Sequence, residues 1–120
     1  MADLATPAAN AAVNAVTALI GFLSLHTADP GTTGANEVTG GSYARQAITF
    51  GAASGGTATS TNGQTFTNMP SVGGNLWIGT WTLVSSGVYE WGDATAAVTG
   101  PIPSGASVVF ATGAVTGSAS

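Results

Sequence analysis

Residues 6–20, TPAANAAVNAVTALI, place apolar side chains at helical spacing, with Ala12, Val13, Val16, Leu19 and Ile20 forming one stripe. Thr6 reads as the N-cap, Pro7 suits the first helical position, and Gly21 reads as a left-handed terminator. The pattern therefore predicts one helix over 6–20. Alanine favours it, but an isolated helix of about 14 residues is marginal in water, so the stripe is expected to dock on the chain's own sheet or on a neighbouring subunit.

After Gly21 the period changes. Short runs rich in β-branched and aromatic residues alternate with Gly, Pro and Asn, which predicts strands near 22–27, 43–50, 57–61, 64–68, 76–84, 87–91 and 106–116. Asn62-Gly63 suits a type I′ turn, pairing TATST with QTFTN as a hairpin. Residues 29–41 read as a long loop opening on an Asp29-Pro30-Gly31 turn, of a length that suggests a contact role. In 76–84, alternation puts Trp77, Gly79, Trp81 and Leu83 on one face and Leu76, Ile78 and Val84 on the other, so both faces ask for cover. Pro101 and Pro103 bracket Ile102 and mark a turn or sheet edge. The expected fold is mainly β: an antiparallel β-sandwich or barrel-like domain over about 22–117 with one N-terminal α-helix, in a single domain spanning 1–120.

Composition sharpens this picture. Of 120 residues only 5% are charged, while 44% are hydrophobic, so the surface is polar but neutral. Arg45 is the sole Lys or Arg; five acids, Asp3, Asp29, Glu37, Glu90 and Asp93, bring the net charge to −4. One arginine cannot neutralise a phosphate backbone, which argues against nucleic acid as a partner. A mean hydropathy of +0.35 with three Trp favours a packed chain over a disordered one. Cysteine is absent, which removes disulfides and thiolate chemistry. The apolar run 16–25 is short, interrupted by Thr17, Gly21 and Ser24, and fits neither a membrane span nor a secretory signal. The chain is expected to start at Met1, to stay soluble in the cell that makes it, and to have no membrane partner.

Each candidate chemistry has a plainer reading. His26 is the only possible base for a serine hydrolase, no G-x-S-x-G elbow is present, and a hydrogen-bonded structural histidine is expected instead. One His without Cys falls short of a transition-metal site, and Asp29, Asn36 and Glu37 read as turn residues before they read as calcium ligands. Glu90 and Asp93 flank Trp91 and Gly92, a pattern that suggests a sugar cleft but reads more simply as a strand end and turn. No phosphate-loop motif exists. No catalytic, cofactor or metal residues are assigned, and no enzyme activity is expected. Arg45, whose fork suits bidentate carboxylate binding, is expected to pair with Glu37, Asp29 or an acid on another subunit.

The stretch LSLHTADPGTTGANEVTGGSYARQAITF, through Leu25–Gly31, Asn36-Glu37-Val38 and Tyr43-Ala44-Arg45-Gln46, resembles a segment of small virion proteins of tailed bacteriophages, especially those of actinobacteria. Residues 104–114, SGASVVFATGA, resemble the closing strand of the same proteins, extending the likeness over about 22–116. The resemblance implies a particle component made in the host cytoplasm and carried in the virion, without catalytic residues. Few charges also mean little repulsion between packed copies and contacts that depend weakly on salt. The first expectation is a capsid decoration or minor capsid protein, a homo-oligomer whose partners are the major capsid protein and copies of itself. The alternative is a tail-associated or surface module that binds host glycans. Interface candidates are Val13 and Val16 on the helix, Asp29, Glu37, Tyr43 and Arg45 around the loop, and Trp77, Trp81 and Trp91.

Overall fold

The computed structural model describes residues 4–118, so Met1 and Asp3 lie outside the described residues. One helix, α1 (Thr6–Thr17), precedes eight short strands: β1 (Phe22–His26), β2 (Gln46–Ala47), β3 (Thr57–Thr59), β4 (Gln64–Phe66), β5 (Trp77–Trp81), β6 (Tyr89–Gly92), β7 (Val108–Phe110) and β8 (Thr116–Ser118). A four-stranded antiparallel sheet runs β2-β1-β5-β6, and two antiparallel pairs, β3-β8 and β4-β7, complete the β structure. The fold is mainly β with a single helix, in a sandwich-like arrangement.

Alternation explains where the core sits. Leu23 and Leu25 of β1 and Ile78 of β5 share one cluster with Phe66 of β4 and with Val108 and Phe110 of β7, which sets the main sheet against the β4-β7 pair. Phe66 is 1% exposed, meets Phe110 edge to face and stacks on Tyr43. The opposite face of β1 carries Ser24 and His26, which are buried too, because the loop after β1 folds back over them. That loop is tied down by Val38 N–H donating to Leu25 O, Thr27 N–H to Asn36 O, and Gly34 N–H to Pro30 O. Gly31 adopts φ +60°, as the expected turn requires.

The helix packs within its own chain. Ala9 and Val13 are buried over β3 and β8, while Asn10 and Asn14 side-chain oxygens accept from Gly56 N–H and Ala53 N–H. Val16 and Leu19 stay exposed at 36% and 58%, so the stripe docks by only part of its width. The termini differ from expectation. The N-cap is Ala5, because Ala9 N–H already bonds to Ala5 O, and Thr6 is inside the helix. At the other end α1 stops at Thr17, and residues 18–20 tighten into a turn through Leu19 N–H to Val16 O and Ile20 N–H to Thr17 O. Gly21 is not a left-handed cap. It bonds to Trp81 O, and a Cβ there would stand 3.0 Å from Thr82 O, so its role is close approach between backbones.

Four strand expectations are corrected. The Asn62-Gly63 hairpin does not form: β3 pairs with β8 and β4 with β7. Neither residue of the dipeptide takes the positive φ that a type I′ turn demands; Asn62 Oδ1 instead accepts from Thr49 N–H and from the Gln64 amide. Thus the Asn62 side chain ties residues 47–49 to 64, and the two runs on either side reach partners near the C-terminus. The predicted strand 106–116 is split into β7 and β8 by a turn in which Ala114 N–H bonds to Ala111 O and Gly113 adopts φ +83°. The predicted strand 43–50 contracts to β2, because Tyr43 and Arg45 turn toward the loop after β1. Similarly β5 ends at Trp81, which leaves Leu83 and Val84 in the connection to β6 rather than on its faces.

Candidate functional site

The outer face of the main sheet carries a dense polar cluster. Arg45 Nε donates to Glu37 Oε2 at 2.9 Å and Nη2 to Glu37 Oε1 at 2.8 Å, the bidentate fork that guanidinium and carboxylate geometry favours. Nη1 donates to Leu83 O at 3.1 Å and Ser86 O at 2.7 Å. The guanidinium carbon stands 3.7 Å from the centre of the Trp81 ring, a cation–π contact. Tyr43 OH donates to Glu37 Oε2 and accepts from Leu25 N–H. Burial pushes the Glu37 carboxyl up, but the bonds from Arg45 and Tyr43 and the charge of Arg45 outweigh it and hold it below its ordinary 4.5. Burial also raises the Tyr43 phenol.

A second chain of bonds runs beneath. His26 Nδ1 donates to Ala35 O at 2.7 Å, which leaves Nε2 to accept from Ser24 Oγ, itself an acceptor for Trp81 Nε1. Burial lowers the His26 pKa from 6.5, against the Ala35 bond and the Glu37 charge, which raise it. Ser24 and His26 thus have the spacing of a nucleophile and its base, yet both are 0% exposed and Nδ1 meets a carbonyl where a triad has an acid. The expected hydrogen-bonded structural histidine is what the fold contains. Over this layer lies Tyr89, edge-on to both Trp81 and His26, its phenol pushed up to about 12 by burial and by nearby Asp29.

Asp29 does not reach Arg45; its carboxylate accepts from Gly31 N–H and closes its own turn. Glu37 is the partner of Arg45, within one chain, and its carboxylate is committed to Arg45 and Tyr43. Among the described residues no cluster of three or more His, Cys, Asp or Glu could hold a metal ion. No helix among them is long and apolar enough to cross a membrane.

The nine interface candidates separate into three places. Glu37, Tyr43, Arg45 and Trp81 meet in the cluster above, with Asp29 nearby, close enough to Tyr89 for its charge to act on the phenol. Val13, Val16 and Trp91 instead line an open groove of about 490 Å³ between α1, β6 and β8, together with Glu90 and Asp93. Trp77 stands apart, its Nε1 donating to Ala94 O. All three tryptophans are half-buried.

Sequence reasoning missed one feature, the turn joining β5 to β6. Leu83, Val84 and Val88 are 54%, 52% and 61% exposed there, and Leu19 at 58% lies at the same end, since Gly21 is bonded to Trp81. Arg45 fastens this tip through two carbonyls, and Thr82 Oγ1 accepts from Val88 N–H across its base. The apolar run Leu83-Val84 was the available signal, but alternation assigned it to a strand.

Neither a curated protein nor a solved structure matches the chain. A family described as "Podophage GP4 fiber I protein gp80" matches residues 4–118. The match covers both the Arg45 cluster and the groove. It agrees with the particle role implied by the loop and closing-strand resemblance, and on it the chain belongs to the gp80 family of podophage GP4 fiber I proteins and is a structural protein of a phage virion.

Proposed function

We propose that the chain is a tail-associated fibre component, a small β module that joins neighbouring subunits through an uncharged apolar tip. The observation that carries this reading is the family match over residues 4–118, whose description is of a fibre protein. That description favours a tail-associated place over capsid decoration. The geometry supports a contact role: four exposed apolar side chains gather at one end, and exposed apolar groups in such groups mark interaction surfaces. Because Arg45 already holds the tip, little loop ordering is left to oppose association. The partners in this reading are other virion subunits, copies of this chain included, and no catalysis is involved. Glycan capture is the weaker reading, since Trp81 is covered by Arg45 and Trp91 packs on Phe50.

Cryo-electron microscopy of intact particles, with copy number from quantitative mass spectrometry, tests the placement. Copies confined to the tail support it; copies ordered over the icosahedral shell overturn it in favour of decoration. Leu83→Ser with Val84→Ser tests the tip: stability should stay within about 0.5 kcal/mol of the parent while incorporation into particles falls. Normal incorporation would remove the tip from the contact.

A further inference from the structure

The groove between α1, β6 and β8 is distinct from both the Arg45 cluster and the apolar tip. It exists because α1 stands on β3 and β8 while β6 is the edge strand of the main sheet. The β6 edge carries a bulge: Thr80 pairs with Trp91 and Trp81 with Tyr89, leaving Glu90 as the extra residue. That insertion sends Tyr89 to the outer layer and Trp91 to the inner one, against Phe50. Glu90 and Asp93 then line one groove wall, with Val13 and Val16 of α1 as an aliphatic flank. Gly117 closes the far side, where a Cβ would stand only 3.3 Å from the Trp91 ring.

Charge narrows the occupant. Neither carboxylate has a cationic partner: the ion pair found among the described residues is Arg45 with Glu37, and the sequence holds no other Lys or Arg. Arg45 is 8% exposed in its side chain and bonds through all three nitrogens, so a second copy has no free cationic side chain to offer. We propose that this groove docks a Lys or Arg side chain of a different protein, its alkyl stem along Val13 and Val16 and its charged head at Glu90 and Asp93. Long basic side chains suit a groove of this make-up, because the stem covers apolar surface while the head keeps to the acidic, wet end. The contact would also be the salt-sensitive exception on an otherwise neutral surface.

The inference rests on the virion reading only in making the partner another particle protein; a titration of the isolated full chain reads the groove wherever the chain sits. The ¹⁵N-labelled protein is titrated with the peptide amide Gly-Arg-Gly-Arg-Gly, following the three indole N–H resonances. The Trp91 resonance should move saturably and the Trp81 resonance stay in place, with the movement lost at high salt. The double variant Glu90→Gln, Asp93→Asn keeps the shape of the groove, and an unmoved Trp81 resonance reports its intact fold; its affinity should fall by at least about tenfold. No saturable movement up to about 20 mM peptide, or movement that survives in the variant, overturns the proposal. So does an equal response to a neutral disaccharide, which would make the groove a sugar site.

Discussion

Replacing Arg45 by Ala removes four hydrogen bonds and the stack on Trp81 at once. The two bonds to Leu83 O and Ser86 O lie at an exposed turn, where water substitutes for the lost donors at little cost. The ion pair is different. Glu37 is 21% exposed in its side chain, so most of its charge is left in a poorly solvated place with only Tyr43 as donor. Removing one member of a buried pair costs about 3–5 kcal/mol, and partial exposure of Glu37 reduces this, giving about 2–4 kcal/mol. For a chain of this size that lowers the melting temperature by about 10 °C or more. Urea unfolding of the Arg45→Ala and Glu37→Ala single variants and the double variant isolates the pair, with a coupling of at least about 1.5 kcal/mol expected. Amide exchange adds an independent reading: Val88 N–H, bonded to Thr82 Oγ1, should lose protection in Arg45→Ala because the tip is released. A loss below about 0.5 kcal/mol, or the same loss whether or not Glu37 is present, would refute the clamp.

Acid should lower the stability of the protein in two stages. His26 has its folded pKa below 6.5, so below that pH the unfolded chain takes up the proton first; stability should decline at up to about 1.4 kcal/mol per pH unit until the folded value is passed. Glu37, held below 4.5, adds a second decline under that pH, and urea midpoints that stay constant from pH 7 to pH 5 would contradict the buried neutral histidine. Gly79→Ala would place a methyl 2.6 Å from His26 Nε2 and 2.9 Å from Ser24 Oγ, and should cost about 1–3 kcal/mol in thermal unfolding. An unchanged melting temperature would show that the layer over β5 is looser than its hydrogen bonds imply.

What could be read from the chain alone follows the range of the forces involved. The helix, β1 and β5 are set by periods within ten or so residues, and each is found where the pattern puts it, with frayed ends. The Arg45–Glu37 pair was legible because the chain offers one cation and few acids. The Asn62-Gly63 turn misled because a dipeptide signal competes with tertiary pairing, and here β3 and β4 each take a partner some 45 to 60 residues away. The groove was legible only as separate pieces, Val13 with Val16 and Glu90 with Trp91 and Asp93, for a related reason. Strict alternation would put Tyr89 and Trp91 on one face, and only the bulge at Glu90 sends them apart.

The pairing of β3 with β8 bears on how the protein is made. The helix is translated well before one of its two supports, β8. About 100 residues separate them, which at about 5–20 residues per second is roughly 5–20 s of synthesis. Throughout that interval α1 lacks the part of its cover that β8 supplies, and a helix this short does not hold on its own. Until β8 emerges the nascent chain is therefore an open molecule, and that strand is the latch that completes the seat of α1. A chain cut short before Thr116 would keep all four strands of the main sheet but only β3 beneath the helix, and α1 should then be the element most open to proteolysis.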